Sequence, residues 1–185
     1  MSTKVVIIGD TGVGKTCLLT AFDTQMLWGD YIPTVFDNFV VSMNLQGRPL
    51  NLHFWDTAGQ SEYDRLRQLS YPGTNFTLIA YSCANTHSFA RVAKWKQEAL
   101  AHMPEAKLIL VATKIDYCNS HYSEGDKLIT KEEGQQLAKT IGAIGFFETS
   151  ALTGQGCRDL LDFIYLSDTQ PSVTSYHHTN KCVLF

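Results

Sequence analysis

The chain has no apolar run approaching the roughly 18 residues of a membrane span. Its first residues, MSTKVVIIGD, hold no long apolar stretch of the kind that opens a secretory leader. A cytoplasmic body is the expectation. Nor is there a basic excess: 15 Lys and Arg stand against 18 Asp and Glu, for a net charge of −3. Such a balance offers no electrostatic footprint for nucleic acid. Cysteine is sparse, with Cys17, Cys83, Cys118, Cys157 and Cys182 lacking the paired spacing of a zinc site. An odd, scattered set suits a reducing compartment, and the first four read as small core or loop residues. No internal repeat is present. What remains is 185 residues with 44% hydrophobic content, ample for the core of one domain.

Apolar or alternating runs recur as VVIIG, FVVSMNL, PLNLHFWD, FTLIAYSC, KLILVATK and GFFETS. Amphipathic segments lie between them near CLLTAF, SEYDRLRQL, SFARVAKWKQEALAHM, KEEGQQLAKTI and CRDLLDFIYL. That alternation predicts an α/β fold with a mostly parallel sheet and helices on both faces. The pair joined by LQGRP is the exception, since Gly47 and Pro49 predict a hairpin and therefore one antiparallel edge. The body spans 1–167, and 168–185 loses periodicity and reads as a flexible tail. In a sheet of this kind ligands bind at the carboxyl ends of the strands.

The loop GDTGVGKT, Gly9 to Thr16, sits between a predicted strand and a predicted helix and satisfies G-x-x-x-x-G-K-[ST]. Its glycines let backbone N–H groups around Gly12, Val13 and Gly14 turn toward an anion. Lys15 reaches outer phosphates, and the Thr16 hydroxyl suits Mg²⁺. Cys17 opens the helix, whose positive end adds to the same site.

Downstream stretches narrow the ligand. In FWDTAGQ, Asp56 ends an apolar strand and suits holding Mg²⁺ through water, Gly59 can offer its N–H to a γ-phosphate, and Gln60 can orient an attacking water. In TKID, Thr113 to Asp116, the aspartate can accept two hydrogen bonds from the N1–H and N2–H₂ edge of guanine, a donor pair that adenine lacks. In ETSAL, Glu148 to Leu152, the Ala151 N–H can meet the guanine O6.

With these motifs in this order the chain resembles a Ras-superfamily small GTPase, specifically of the Rho/Rac branch. The wording YIPTVFDNF, LHFWDTAGQSEYDRLRQLSYP, ATKID and the terminal CVLF is similar to that branch over nearly the whole length. The resemblance implies a three-layer P-loop G-domain, with a mostly parallel six-stranded sheet and one antiparallel edge strand, in 1–167, and a hypervariable tail after it. It implies a monomeric switch that binds GTP or GDP with Mg²⁺ and hydrolyses GTP slowly. By the same resemblance Gln60, Lys15 and Thr34 are catalytic, Thr16 and Thr34 ligate Mg²⁺ with Asp56 acting through water, and Tyr31 lies over the phosphates. Base and ribose contacts fall to Leu27, Trp28, Thr113, Lys114, Asp116, Ser150, Ala151 and Leu152. Effector and regulator surfaces fall to Phe36, Asp37, Asn38, Phe39, Trp55, Tyr63, Asp64, Arg65, Leu66 and Leu69. Implied partners are an exchange factor, an activating protein, a GDI-like carrier and cytoskeletal effectors of formin or kinase type. No arginine lies between Trp28 and Phe39, so an arginine finger is expected from the activating partner.

Three departures stand out. Thr11 fills a position that Rho proteins usually give to glycine, near the γ-phosphate and Gln60. Crowding there slows hydrolysis in one reading, whereas Rab proteins tolerate serine or threonine at the same place. Leu27 and Trp28 replace the usual phenylalanine and proline. Loss of the ring that packs against guanine speeds release in one reading, and the Trp28 indole takes over the contact in the other. The segment Tyr117 to Thr130 is shorter than the Rho insert and reads as loop from its Ser, Asn, Gly and Asp content.

CVLF is a C-a-a-X box whose final phenylalanine favours geranylgeranylation of Cys182. One prenyl chain anchors only marginally, and Lys181 with His177 and His178 is a thin second signal, so attachment to a membrane's cytoplasmic face is expected to be reversible. Two rival readings remain. One is a poorly hydrolysing scaffold held with GTP, favoured by Thr11 and opposed by Gln60. The other is a P-loop kinase or ATPase, opposed by Asp116.

Overall fold

Strand β1 (Ser2–Gly9) is apolar and β-branched, and Val5, Val6, Ile7 and Ile8 are all wholly buried. A strand buried on both faces belongs in the middle of a parallel sheet. The computed structural model, which describes residues 2–22, 36–45, 47–120, 127–169 and 183–184, places it there. β1 pairs in parallel with β3 (Arg48–Thr57) on one side and β4 (Phe76–Ser82) on the other. β5 (Lys107–Thr113) and β6 (Gly145–Glu148) extend the parallel array beyond β4. β2 (Phe36–Leu45) pairs antiparallel with β3 through the hairpin at Gly47, whose φ of 78° is left-handed. The mostly parallel sheet with one antiparallel edge is the one that the alternation and the LQGRP hairpin predicted, and its six strands are the number the resemblance implied. A two-residue strand, β7 (Val183–Leu184), adds antiparallel pairing at the β6 edge, so the stretch after residue 167 is not wholly without regular structure.

Alternate residues of β1 feed opposite cores. Val5 and Ile7 join Leu18 and Phe22 of α1 (Lys15–Phe22) and Leu160 and Ile164 of α7 (Cys157–Thr169). Val6 and Ile8 join Trp95 and Ala99 of α4 (Val92–His102) and Ala138 of α6 (Lys131–Ile141). This two-sided burial makes the middle layer rigid and leaves the strands' carboxyl ends as the place where loops converge.

Three local readings are corrected. SFARVAKWKQEALAHM is two helices, α3 (Thr86–Ala90) and α4, meeting at Arg91, and α3 starts from an Asn85 side chain that accepts from the Ser88 N–H at 3.0 Å. SEYDRLRQL is a 3₁₀ turn at Ser61–Tyr63 followed by the short α2 (Asp64–Gln68). The expected loop after TKID begins as helix α5 (Ile115–Ser120), with Ile115 buried beneath it. Burial of Ile115 outweighs the weak helix preference of Asn119 and Ser120.

Candidate functional site

The phosphate loop leaves β1 at Gly9 and runs into α1. Gly14 has φ 101°, a left-handed conformation that side chains rarely adopt, which explains the glycine there. Lys15 turns inward and is buried, its Nζ donating to the Gly9 and Asp10 carbonyls, each at 3.0 Å. Burial lowers its pKa to about 8, although Asp56 and Asp10 pull the other way. A buried ammonium held by two carbonyls suits an anion with several oxygens, such as phosphate.

The next residue reaches β3. Thr16 Oγ1 donates to Asp56 Oδ2 at 2.5 Å, and Asp56 is wholly buried, level with Ile7 in the β1–β3 register. One hydroxyl and one carboxylate side by side are hard oxygen donors that would suit Mg²⁺ beside a bound phosphate. After Asp56 the chain turns directly onto the phosphate loop. A Cβ on Gly59 would lie 2.4 Å from the Thr11 nitrogen and 2.5 Å from the Gly9 oxygen, so nothing larger than glycine fits. Thr11, Lys15, Thr16, Gly59 and Gln60 line one cavity, with Thr11 and Gln60 exposed at its mouth.

The second half lies across Lys114. Thr113 Oγ1, buried at the end of β5, is 2.5 Å from the Val13 carbonyl and 2.9 Å from that of Tyr81, tying the TKID segment to the phosphate loop. Lys114 has φ 61°, and its Nζ donates to the Gly12 carbonyl at 2.7 Å. Asp116 Oδ1 accepts from the Ser150 Oγ at 2.5 Å, and Ser150 is wholly buried. Asp116, Cys17, Ala151 and Leu152 line a cavity that adjoins the first at Gly14 and Lys114. A flat base can lie there with its donor edge toward Asp116. The resemblance placed Ser150 among the base and ribose contacts, and the geometry shows its hydroxyl bonded to Asp116.

The expected surface residues gather elsewhere. Asp37 and Asn38 are exposed and Phe39 half-buried on β2, beside Trp55 of β3, whose ring carries the Lys4 ammonium 4.2 Å from its centre. Leu66 and Leu69 are exposed at 48% and 76%, large for leucine, while Arg65 is exposed and Tyr63 half-buried near them. Leu27, Trp28, Tyr31, Thr34 and Cys182 lie outside the described residues, as does the side chain of Phe36.

Sequence reasoning missed a buried relay. Arg67, 2% exposed, donates from Nη1 to the Ala58 carbonyl at 2.8 Å and from Nε to Glu98 Oε1 at 2.9 Å. Asp64, assigned to the surface by resemblance, pairs with the Arg67 Nη2 at 2.5 Å. Tyr71 donates to Glu98 Oε1 at 2.5 Å, and burial first, then that carboxylate, holds its hydroxyl protonated well above the usual tyrosine range. The Arg67 guanidinium stacks 4.9 Å from the Trp95 ring, whose Nε1–H donates to Asp10 Oδ1 at 2.8 Å. The turn bearing Gly59 and Gln60 is thereby joined to the phosphate loop through the core. DRLRQ gives no signal that one of its arginines is buried.

The cysteine reading also needs correction. Cys83, just beyond β4, is disulfide-bonded to Cys118 of α5, so these two are not free thiols. Their 35-residue separation hides the contact, which arises because β4 and β5 are neighbours in the sheet. Cys17 and Cys157 are free, and burial raises the Cys157 pKa to about 11, leaving it unreactive.

An anion cradle, a pair of hard-oxygen donors and an oriented carboxylate thus share one edge of a doubly wound sheet. Residues 4–167 match the model of the Ras family, and the chain belongs to that family of small GTPases, nucleotide switches that bind GTP and GDP.

Proposed function

We propose that this member is a Rho-branch switch that reads guanine through Asp116 and clamps the β- and γ-phosphates through Lys15. The observation that carries the guanine reading is the Ser150 hydroxyl fixing Asp116 at 2.5 Å beside the phosphate loop. Asp116, so placed, accepts from the N1–H and N2–H₂ pair, and the Ala151 N–H stands near enough in sequence to meet O6. Thr16 and Asp56 hold Mg²⁺ with the phosphates, Thr34 joins them in the GTP state, and Gln60 orients the water. Related GTPases gain about 10³ to 10⁵ in rate from a partner's arginine, and such an activator acts here. Effectors of the actin cytoskeleton engage the Asp37 to Phe39 and Leu66 to Leu69 surfaces. An exchange factor, a GDI-like carrier and a geranylgeranylated Cys182 complete a reversible cycle on the cytoplasmic face of a membrane.

Thr11 supports a second reading, in which the protein hydrolyses poorly and persists as a GTP-bound scaffold, because it lines the same cavity as Gly59 and Gln60. Single-turnover hydrolysis of preloaded Mg²⁺·GTP, with and without a Rho-type activating domain, separates the two. Wild-type turnover that responds to the activator supports the cycling switch. Turnover restored only by Thr11→Gly supports the scaffold. Equal displacement of labelled GDP by ATP and GTP defeats the guanine reading altogether.

A further inference from the structure

The base-recognition loop is held at both of its ends by the same short stretch. Cys83 follows β4, is 4% exposed, and donates its backbone N–H to the Thr113 carbonyl at 3.1 Å. Its own carbonyl accepts from the Ile129 N–H at 2.8 Å, which places Cys83 between the start of the TKID segment and the approach to α6. Its Sγ lies 3.2 Å from the carbonyl oxygen of Lys114, the residue in the left-handed conformation. Through the disulfide that sulfur is bonded to Cys118, two positions after Asp116 in α5. Thr113, Lys114 and Asp116 are therefore enclosed between a hydrogen bond at one end and a covalent bond at the other. Asp116 is the group whose aim decides base affinity, and α5 is a helix of six residues, too short to hold its own geometry.

We propose that the Cys83–Cys118 pair is a reversible thiol–disulfide modification site that sets the rate of nucleotide release by fixing or freeing the Asp116 loop. This rests on the guanine reading above. A small thiol of the glutathione class is the reductant. Its thiolate attacks the half-buried Cys118 sulfur, the S–S bond breaks, and Cys83 leaves as a thiolate that takes up a proton. A second small thiol then attacks the mixed disulfide at the sulfur of the first. The products are two protein thiols and one small disulfide, and the reverse exchange restores the bond. Once reduced, Cys83 carries a proton that it can donate to the Lys114 carbonyl, while α5 loses its covalent tie to β4. Opening of the loop then costs less, and the bound base escapes sooner.

The test uses full-length protein loaded with fluorescent GDP and Mg²⁺, chased with excess GDP, after treatment with oxidised glutathione or with dithiothreitol. Thiol titration reports the bond directly. Reduction should speed release by about fivefold or more, the lower end of ordinary coupling between sites. Cys118→Ser and Cys83→Ser should each release fast and ignore the reductant. The preference for GDP over IDP, which lacks the 2-amino group facing Asp116, should fall in the reduced form, an effect that general loosening does not produce. Equal release rates in the two redox states overturn the proposal. So does a Cys118→Ser variant that still responds to reductant, since Cys17 would then be the sensitive thiol, and so does a thiol count unchanged by oxidation. Failure of either redox form to prefer GDP over ADP overturns the guanine reading itself, an outcome distinct from GDP binding that ignores reduction.

Discussion

At the phosphate end of the site, backbone lies against backbone, whereas at the base end buried side chains hold one another in place. Gly59 rests within 2.5 Å, measured from where its Cβ would be, of the Gly9 oxygen, and Lys15 is held by the Gly9 and Asp10 carbonyls. Across Lys114, Ser150 fixes Asp116, Thr113 ties Val13 to Tyr81, and a disulfide lies behind them. The difference follows from the ligand. Phosphate is the same in every nucleotide and needs only an anion cradle, while telling guanine from adenine needs a carboxylate at one defined place.

The largest effect should come from the relay that joins the halves. Arg67→Met leaves the half-buried Glu98 carboxylate without its cation. We expect unfolding free energy, measured by urea titration, to fall by about 3 kcal/mol, the low end for breaking a buried pair because Asp64 stays partly in solvent. A loss below about 0.5 kcal/mol would show that the relay does not bind the turn to the core.

Next comes the base end. Asp116→Ala should weaken GDP binding by roughly 10- to 100-fold, the worth of a charged hydrogen-bonded contact, without changing affinity for inorganic pyrophosphate. Ser150→Ala, which leaves Asp116 charged but unaimed, should cost about fivefold. Equal losses for GDP and pyrophosphate in isothermal titration would erase the division between the two ends.

The smallest effect distinguishes the phosphate end by pH. Lys15 must be charged to meet phosphate, and its pKa is lowered to about 8, so pyrophosphate affinity should fall about twofold between pH 7 and pH 8. Stability of the ligand-free protein should move the other way. Between about 8 and the ordinary lysine value of 10.5 the unfolded chain binds more protons at this residue, so its contribution to stability rises with pH across that window. Lys15→Met should abolish both trends.

Much of this molecule was legible in its sequence, and the legible parts share a physical reason. Gly9 to Thr16, Asp56 with Gly59, and Thr113 to Asp116 are each patterns of a few residues, where spacing and local backbone geometry suffice. The mostly parallel sheet followed from the alternation of strand and helix, and runs such as VVIIG suit its buried inside. The failures also share a cause. Nothing within DRLRQ marks Arg67 as buried, because its partners Glu98 and Tyr71 and the Trp95 ring it stacks on come from other elements. Asn and Ser after Asp116 argued for loop, and the anchoring of Ile115 made a helix.

The sequence by itself determined a loop of phosphate-binding pattern, the aspartate of TKID and the alternation that winds a parallel sheet, since each is written in neighbouring residues. Only the tertiary structure decided that Ser150 aims Asp116, that Arg67 joins the Gln60 turn to the core and that Cys83 meets Cys118. Those contacts depend on which strands lie side by side, a choice made by burial over the whole chain and not by any local stretch.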